Sequence, residues 1–161
     1  MENRTKEAAL AAMMLALFFV TRTYKIQLIP GAFLIDFSGA VIYSAASLLS
    51  WPYIFVFAFS TFYLGSNLFS GVAMFFGCQA VFFISKSVSE IRRQYTVVSG
   101  QIVGYPVYGL LMHFTGLIDF KTFLVVGAVP ILVNSITTTV GGLLIWGVLR
   151  RFEIVGNLAS S

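Results

Sequence analysis

The chain has 161 residues, 58% hydrophobic and only 10% charged, with a mean hydropathy of +0.91. A soluble domain carries roughly 25% charged residues, so the composition excludes an ordinary water-soluble fold and predicts an integral membrane protein. The formal charge of +4 does not point to nucleic acid: the basic residues stand between apolar runs, where they set orientation in a bilayer.

The N-terminus, "MENRTKEAALAAMMLALFFV", pairs a basic start with a short apolar stretch, as a signal peptide does. No small-x-small cleavage site closes it, and the helical pattern continues to Tyr24, so we expect a retained first span over residues 7–24. Within it Ala8, Ala12 and Ala16 recur every four residues and share one helical face. They form a smooth strip beside a bulky side of Leu, Met and Phe.

The linker "RTYKIQLIPGAFLID" follows, with Pro30-Gly31 at its middle. It is hydrophobic enough to dock on a bundle as a lid would. No charged residue occurs between Phe37 and Ser85. A hydrocarbon core of ~30 Å needs about 20 helical residues, so this stretch holds two long spans or three short ones. The turn at Ser50-Trp51-Pro52 and the loop signals from Gly65 to Gly71 favour three, over residues 37–50, 52–66 and 70–88. A fifth span is predicted over 96–114 and a sixth over 120–149, kinked at Pro130, whose freed carbonyl neighbouring helices can satisfy.

Charge placement orders these spans. With six spans and an inner N-terminus, Arg4, Lys6, Lys86, Arg92, Arg93, Arg150 and Arg151 lie inside, and Arg22, Lys25 and Lys121 lie outside. That bias follows the positive-inside rule. The expected fold class is therefore all-α: a single transmembrane domain over residues 1–161, a bundle of six helices with both termini cytoplasmic, in the plasma membrane.

Several chemistries lack their residues. There is no G-x-x-x-x-G-K-[ST], H-E-x-x-H or G-x-S-x-G. Cys78 and His113 are each the single residue of their kind, which excludes an intrachain disulfide and a Cys/His metal cluster within one chain. Glu2, Glu7, Asp36, Glu90, Asp119 and Glu153 all fall at or near span ends. A carrier driven by protons or sodium usually keeps an ionisable group inside the membrane, so we expect any transport to draw its energy from elsewhere.

The polar groups inside the spans are few: Gln79 in the fourth, Gln101, Tyr105 and Tyr108 in the fifth, and Asn134 with Thr137, Thr138 and Thr139 in the sixth. The spacing of Gln101, Tyr105, Tyr108 and Met112 puts them on one face, and Asn134 and Thr138 share another. Threonine hydroxyls can bond their own helix. For Gln79 and Asn134 two readings stand side by side. One is an interhelical hydrogen bond worth about 0.6 kcal/mol; the other is contact with a heterocyclic ligand, which a carboxamide suits. His113 reads equally as an interfacial side chain or a ligand contact.

These features resemble the substrate-binding membrane subunits, the S components, of energy-coupling factor importers for vitamins and other micronutrients. The resemblance rests on a short chain of about six spans, an "AALAAMMLA" strip extended to Ala16, a long first outer loop, and "FLIDFSGAVIY" opening the second span. It departs from the family at "LLSWPY", where a Gly-Pro turn is common.

The resemblance implies high-affinity capture of a vitamin or similar heterocycle near the outer face. It further implies docking on a transmembrane coupling protein driven by two ATPase subunits, so that ATP is used by the partners and no cofactor belongs to this chain. Carried onto these residues, docking falls to Ala8, Ala12 and Ala16. The pocket falls to Gln79, Tyr105, His113 and Asn134, with loop contributions from Tyr24, Gln27, Phe33 and Asn67. The metal-specific members have an N-terminal His motif absent from "MENRTKEAAL", so no metal is implied. Two other readings stand beside this one: an autonomous oligomeric carrier or channel, and a small membrane enzyme or assembly factor using His113 and Asp119.

Overall fold

The computed structural model describes residues 2–24, 26–29, 33–64 and 68–152, with side-chain surroundings for 4–24, 36–62 and 68–152. Six principal helices follow one another. They are α1 (Glu2–Thr23), α2 (Ser38–Leu48), α3 (Trp51–Leu64), α4 (Leu68–Ser87), α6 (Val97–Phe114) and α7 (Phe120–Arg151), with a single turn, α5 (Glu90–Arg93), and a 3-10 turn at Gln94–Thr96 before α6. Each expected span coincides with one helix to within a few residues. The linker adds what the all-α expectation lacked: an antiparallel hairpin of β1 (Ile26–Ile29) and β2 (Phe33–Ile35), with a register shift between Gln27 and Ile29. β2 packs against α7.

Turn chemistry sets the helix ends. α6 closes in a Schellman motif, with Leu117 N–H donating to Met112 C=O at 3.0 Å and Gly116 N–H to His113 C=O at 2.9 Å. Gly116 adopts φ 71°, a left-handed conformation that glycine takes without steric penalty. Asp119 then caps α7, its carboxylate accepting from the Lys121 and Thr122 N–H groups at 3.0 and 3.3 Å.

α2 is the central post. Every residue from Ser38 to Ser47 is buried, and its Ser, Gly and Ala side chains let neighbours approach on all sides. Tyr43 on α2 lies between Gly77 of α4 and Gly100 of α6. A Cβ at Gly100 would stand 2.6 Å from the Tyr43 ring, and one at Gly77 would stand 2.6 Å from the Gly100 carbonyl oxygen. Glycine at both positions is what allows α4, α6 and the tyrosine to meet. The core continues through Leu10, Met14 and Phe18 of α1, Ile54 and Phe57 of α3, and Trp146 of α7. Trp146 Nε1 donates to Ser47 Oγ at 3.1 Å.

These contacts fix the directions of the helices. Ala73 meets Gly104 and Gly77 meets Gly100, so α4 and α6 run antiparallel. Gly39 meets Thr138 and Ser44 meets Gly142, so α2 and α7 run parallel. Glu7 accepts from the Ser50 N–H, while Arg22 pairs with Asp36, so α1 is antiparallel to α2. One end of the bundle therefore gathers the end of α1 and the starts of α2, α4 and α7. The other gathers Arg4, Lys6, Lys86, Arg92, Arg93, Arg150 and Arg151.

Two helices, α4 and α7, are long and apolar enough to cross a membrane. Along α7 the residues Val125, Val129, Leu132, Ile136, Val140, Leu144 and Val148 are all more than half exposed. In water so long an apolar stripe would be an aggregation hazard; in lipid it is matched by its solvent. α2, with 11 residues, and α3, with 14, are shorter than the roughly 20 residues that cross a hydrocarbon core unaided. For α2 no lipid match is required, since protein surrounds it.

Candidate functional site

A cavity of about 410 Å³ opens among α1, α2, α4, α6 and α7, within the range of small-ligand pockets, roughly 300–1,000 Å³. Arg22 reaches it from the last turn of α1, and Asp36 from the residue pair that leads into α2. Gly39 and Tyr43 face it from α2, Ser70, Ala73 and Met74 from α4, Gln101, Gly104, Tyr105 and Tyr108 from α6, and Asn134 from α7. Most of these positions belong to the end of the bundle opposite the basic cluster.

A chain of polar contacts runs along its wall. The Arg22 guanidinium donates to the Asp36 carboxylate and, at 3.5 Å, to Ser38 Oγ. Asp36 accepts a second bond from the Ser38 N–H at 2.8 Å, and its own N–H donates to Asn134 Oδ1 at 3.3 Å. The Tyr105 and Asn134 side chains lie within interaction distance of each other on this wall. Deeper in the bundle, Gln101 Nε2 donates to Thr138 Oγ1 at 2.7 Å. Each charge also suits its helix end: a cation at the C-terminus of α1 and an anion at the N-terminus of α2 oppose the backbone dipoles.

The residues proposed from sequence separate into three groups. Tyr105 and Asn134 line the cavity and touch each other. Gln79 is on α4 but outside the lining; its Oε1 accepts from Trp51 Nε1 of α3 at 3.2 Å. His113 is exposed beside Phe114, and Tyr24 is 74% exposed; both also lie outside the lining. Of Gln27 and Phe33 only the backbone is described, in β1 and β2, and Asn67 lies outside the described residues. Thr137 and Thr139 bond their own helix, at Val133 and Ser135 C=O, whereas Thr138 is the partner of Gln101.

Arg22, Asp36, Tyr43, Ser70 and Met74 line the cavity beyond the residues expected from sequence. Gln101 and Tyr108 share a helical face with Tyr105, and that shared face is the signal that finds all three. The Arg22–Asp36 pair has no local signal beyond opposite charges on either side of the linker.

Ala8, Ala12 and Ala16 are exposed, on the face of α1 opposite the buried Leu10, Met14 and Phe18. They form a smooth outer strip on the bundle. No family model, curated protein or solved structure matches the chain.

Proposed function

We propose that this chain is the substrate-capture subunit of an importer of the energy-coupling factor type, in the plasma membrane. It spans the bilayer with six helices and keeps both termini in the cytoplasm. It is not an enzyme: it binds a vitamin or similar heterocyclic micronutrient at the outer face, and a transmembrane coupling protein with two ATPase subunits supplies the work of transport.

The observation that carries this reading is the cavity of about 410 Å³ at the end of the bundle away from the basic cluster. Seven Lys and Arg residues gather at the opposite end, which the positive-inside rule assigns to the cytoplasm, so the cavity belongs to the outer half. Its carboxamides and tyrosines offer the directional contacts of a small-molecule site. Among the described residues, the Arg22–Asp36 pair supplies the groups lining it that are charged at neutral pH, and they neutralise each other. The exposed alanine strip supports a docking role, because small side chains let a partner helix approach closely.

Native mass spectrometry of the mildly purified chain tests the capture step, and retention of one small molecule per chain is expected. Uptake in cells should require the partner proteins. Flux through liposomes containing this chain alone, or retention of lipid only, would overturn the reading.

A further inference from the structure

We infer that the cavity takes a ligand uncharged at neutral pH: a flat heterocycle whose edge sets an N–H beside a C=O, as a lactam, imide or oxo-purine does. The inference rests on the capture reading and narrows its substrate class.

The first argument is charge balance. Arg22 and Asp36 are the charged side chains lining the cavity among the described residues, and they are paired with 9% and 22% of their side-chain surfaces exposed. The pair is fixed in place by the Ser38 N–H on Asp36 and by the helix end behind each charge. An anionic ligand recruiting Arg22 would strand the Asp36 carboxylate in a partly desolvated position, and a cation recruiting Asp36 would strand Arg22. Stranding one member of such a pair costs more than a new contact of the same kind returns. An uncharged ligand leaves the pair intact.

The second argument is the donor and acceptor pattern. Gln101 donates one N–H to Thr138, which leaves its carbonyl as an acceptor and its second N–H as a donor. Asn134 accepts the Asp36 N–H with one lone pair of its oxygen, and its NH₂ group carries donors. An edge that both donates and accepts answers the two carboxamides together. Tyr43, Tyr105 and Tyr108 supply aromatic surface around it, which suits a planar ring.

The test uses the purified full-length chain and matched probes that differ in charge: nicotinamide against nicotinate, biotin amide against biotin, and lumiflavin against flavin mononucleotide. Competition against the co-purified molecule is read by native mass spectrometry, and that molecule is identified. The retained molecule should be uncharged at neutral pH. In every pair that binds, the uncharged member should bind about tenfold tighter or more. Asp36→Asn, which releases the charge of Arg22, should shift preference towards the anionic member. A charged co-purified molecule, tighter binding of the charged probe, or an unshifted preference in folded Asp36→Asn would overturn this inference while leaving capture intact. If no small molecule is retained and no probe binds, both fail. Should Asp36→Asn not fold, the wild-type comparison decides.

Discussion

Arg22 and Asp36 stand 14 residues apart in the chain, and their ion pair joins the two feet of the β1–β2 hairpin at the wall of the cavity. The pair holds the end of α1 against the start of α2 and thereby sets where the hairpin leaves the bundle. Structure and site thus share one contact.

That contact makes a measurable prediction. Arg22→Gln or Asp36→Asn should each destabilise the chain by about 1–3 kcal/mol, less than a fully buried pair because both side chains retain some exposure. The double variant should lose less than the sum of the two, since neither charge is then left alone. Thermal unfolding in detergent measures all three; simple additivity would show that the two groups act independently.

Close helix approach can be tested with two glycines that differ in surroundings. Gly100→Ala places a methyl 2.6 Å from the Tyr43 ring and should cost about 1–3 kcal/mol by overpacking. Gly147, also within a helix, has nothing within 4 Å of a Cβ. Gly147→Ala should therefore gain about 0.5–1 kcal/mol of helix propensity. Equal effects at the two sites would contradict the packing of Tyr43 of α2 against α6.

Tyr105 lines the cavity beside Asn134, whereas Tyr95 is exposed and outside it. Tyr105→Phe should weaken retention of the bound small molecule by roughly 2–13-fold, the value of one hydroxyl hydrogen bond to the ligand at about 0.5–1.5 kcal/mol. Tyr95→Phe should leave retention unchanged. The ratio of ligand-bound to free protein in native mass spectra reports both.

Ala12 faces outward on α1, so Ala12→Trp should change stability by no more than about 0.5 kcal/mol. If the strip is a docking surface, the same substitution abolishes co-purification with the coupling protein and spares ligand retention. Loss of ligand with docking intact would place the function of α1 elsewhere.

Capping chemistry at the α6–α7 turn gives a purely local prediction. Asp119→Ala removes the acceptor for the Lys121 and Thr122 N–H groups and should cost about 1 kcal/mol. Asp119→Asn, which keeps an oxygen at the cap, should recover most of it. Circular dichroism during thermal unfolding distinguishes the two variants.

The sequence by itself determined the helices and their order. Charge, hydropathy and turn residues are local properties, and Ser50-Trp51-Pro52 marks a boundary whatever surrounds it. The three-residue spacing from Tyr105 to Tyr108 and the four from Gln101 to Tyr105 likewise put those side chains on one face before any partner was known. Which face meets a cavity was beyond that reach. Gln79 and Gln101 are both carboxamides in apolar helices, but Gln79 on α4 turns to Trp51 of α3, whereas Gln101 on α6 turns to the cavity and to Thr138 of α7. The hairpin was missed for a related reason: its short strands exist by pairing with each other and packing on α7, contacts that propensity does not encode. Only the tertiary structure joined Arg22 to Asp36, since an attraction between distant residues depends on how the intervening chain folds back.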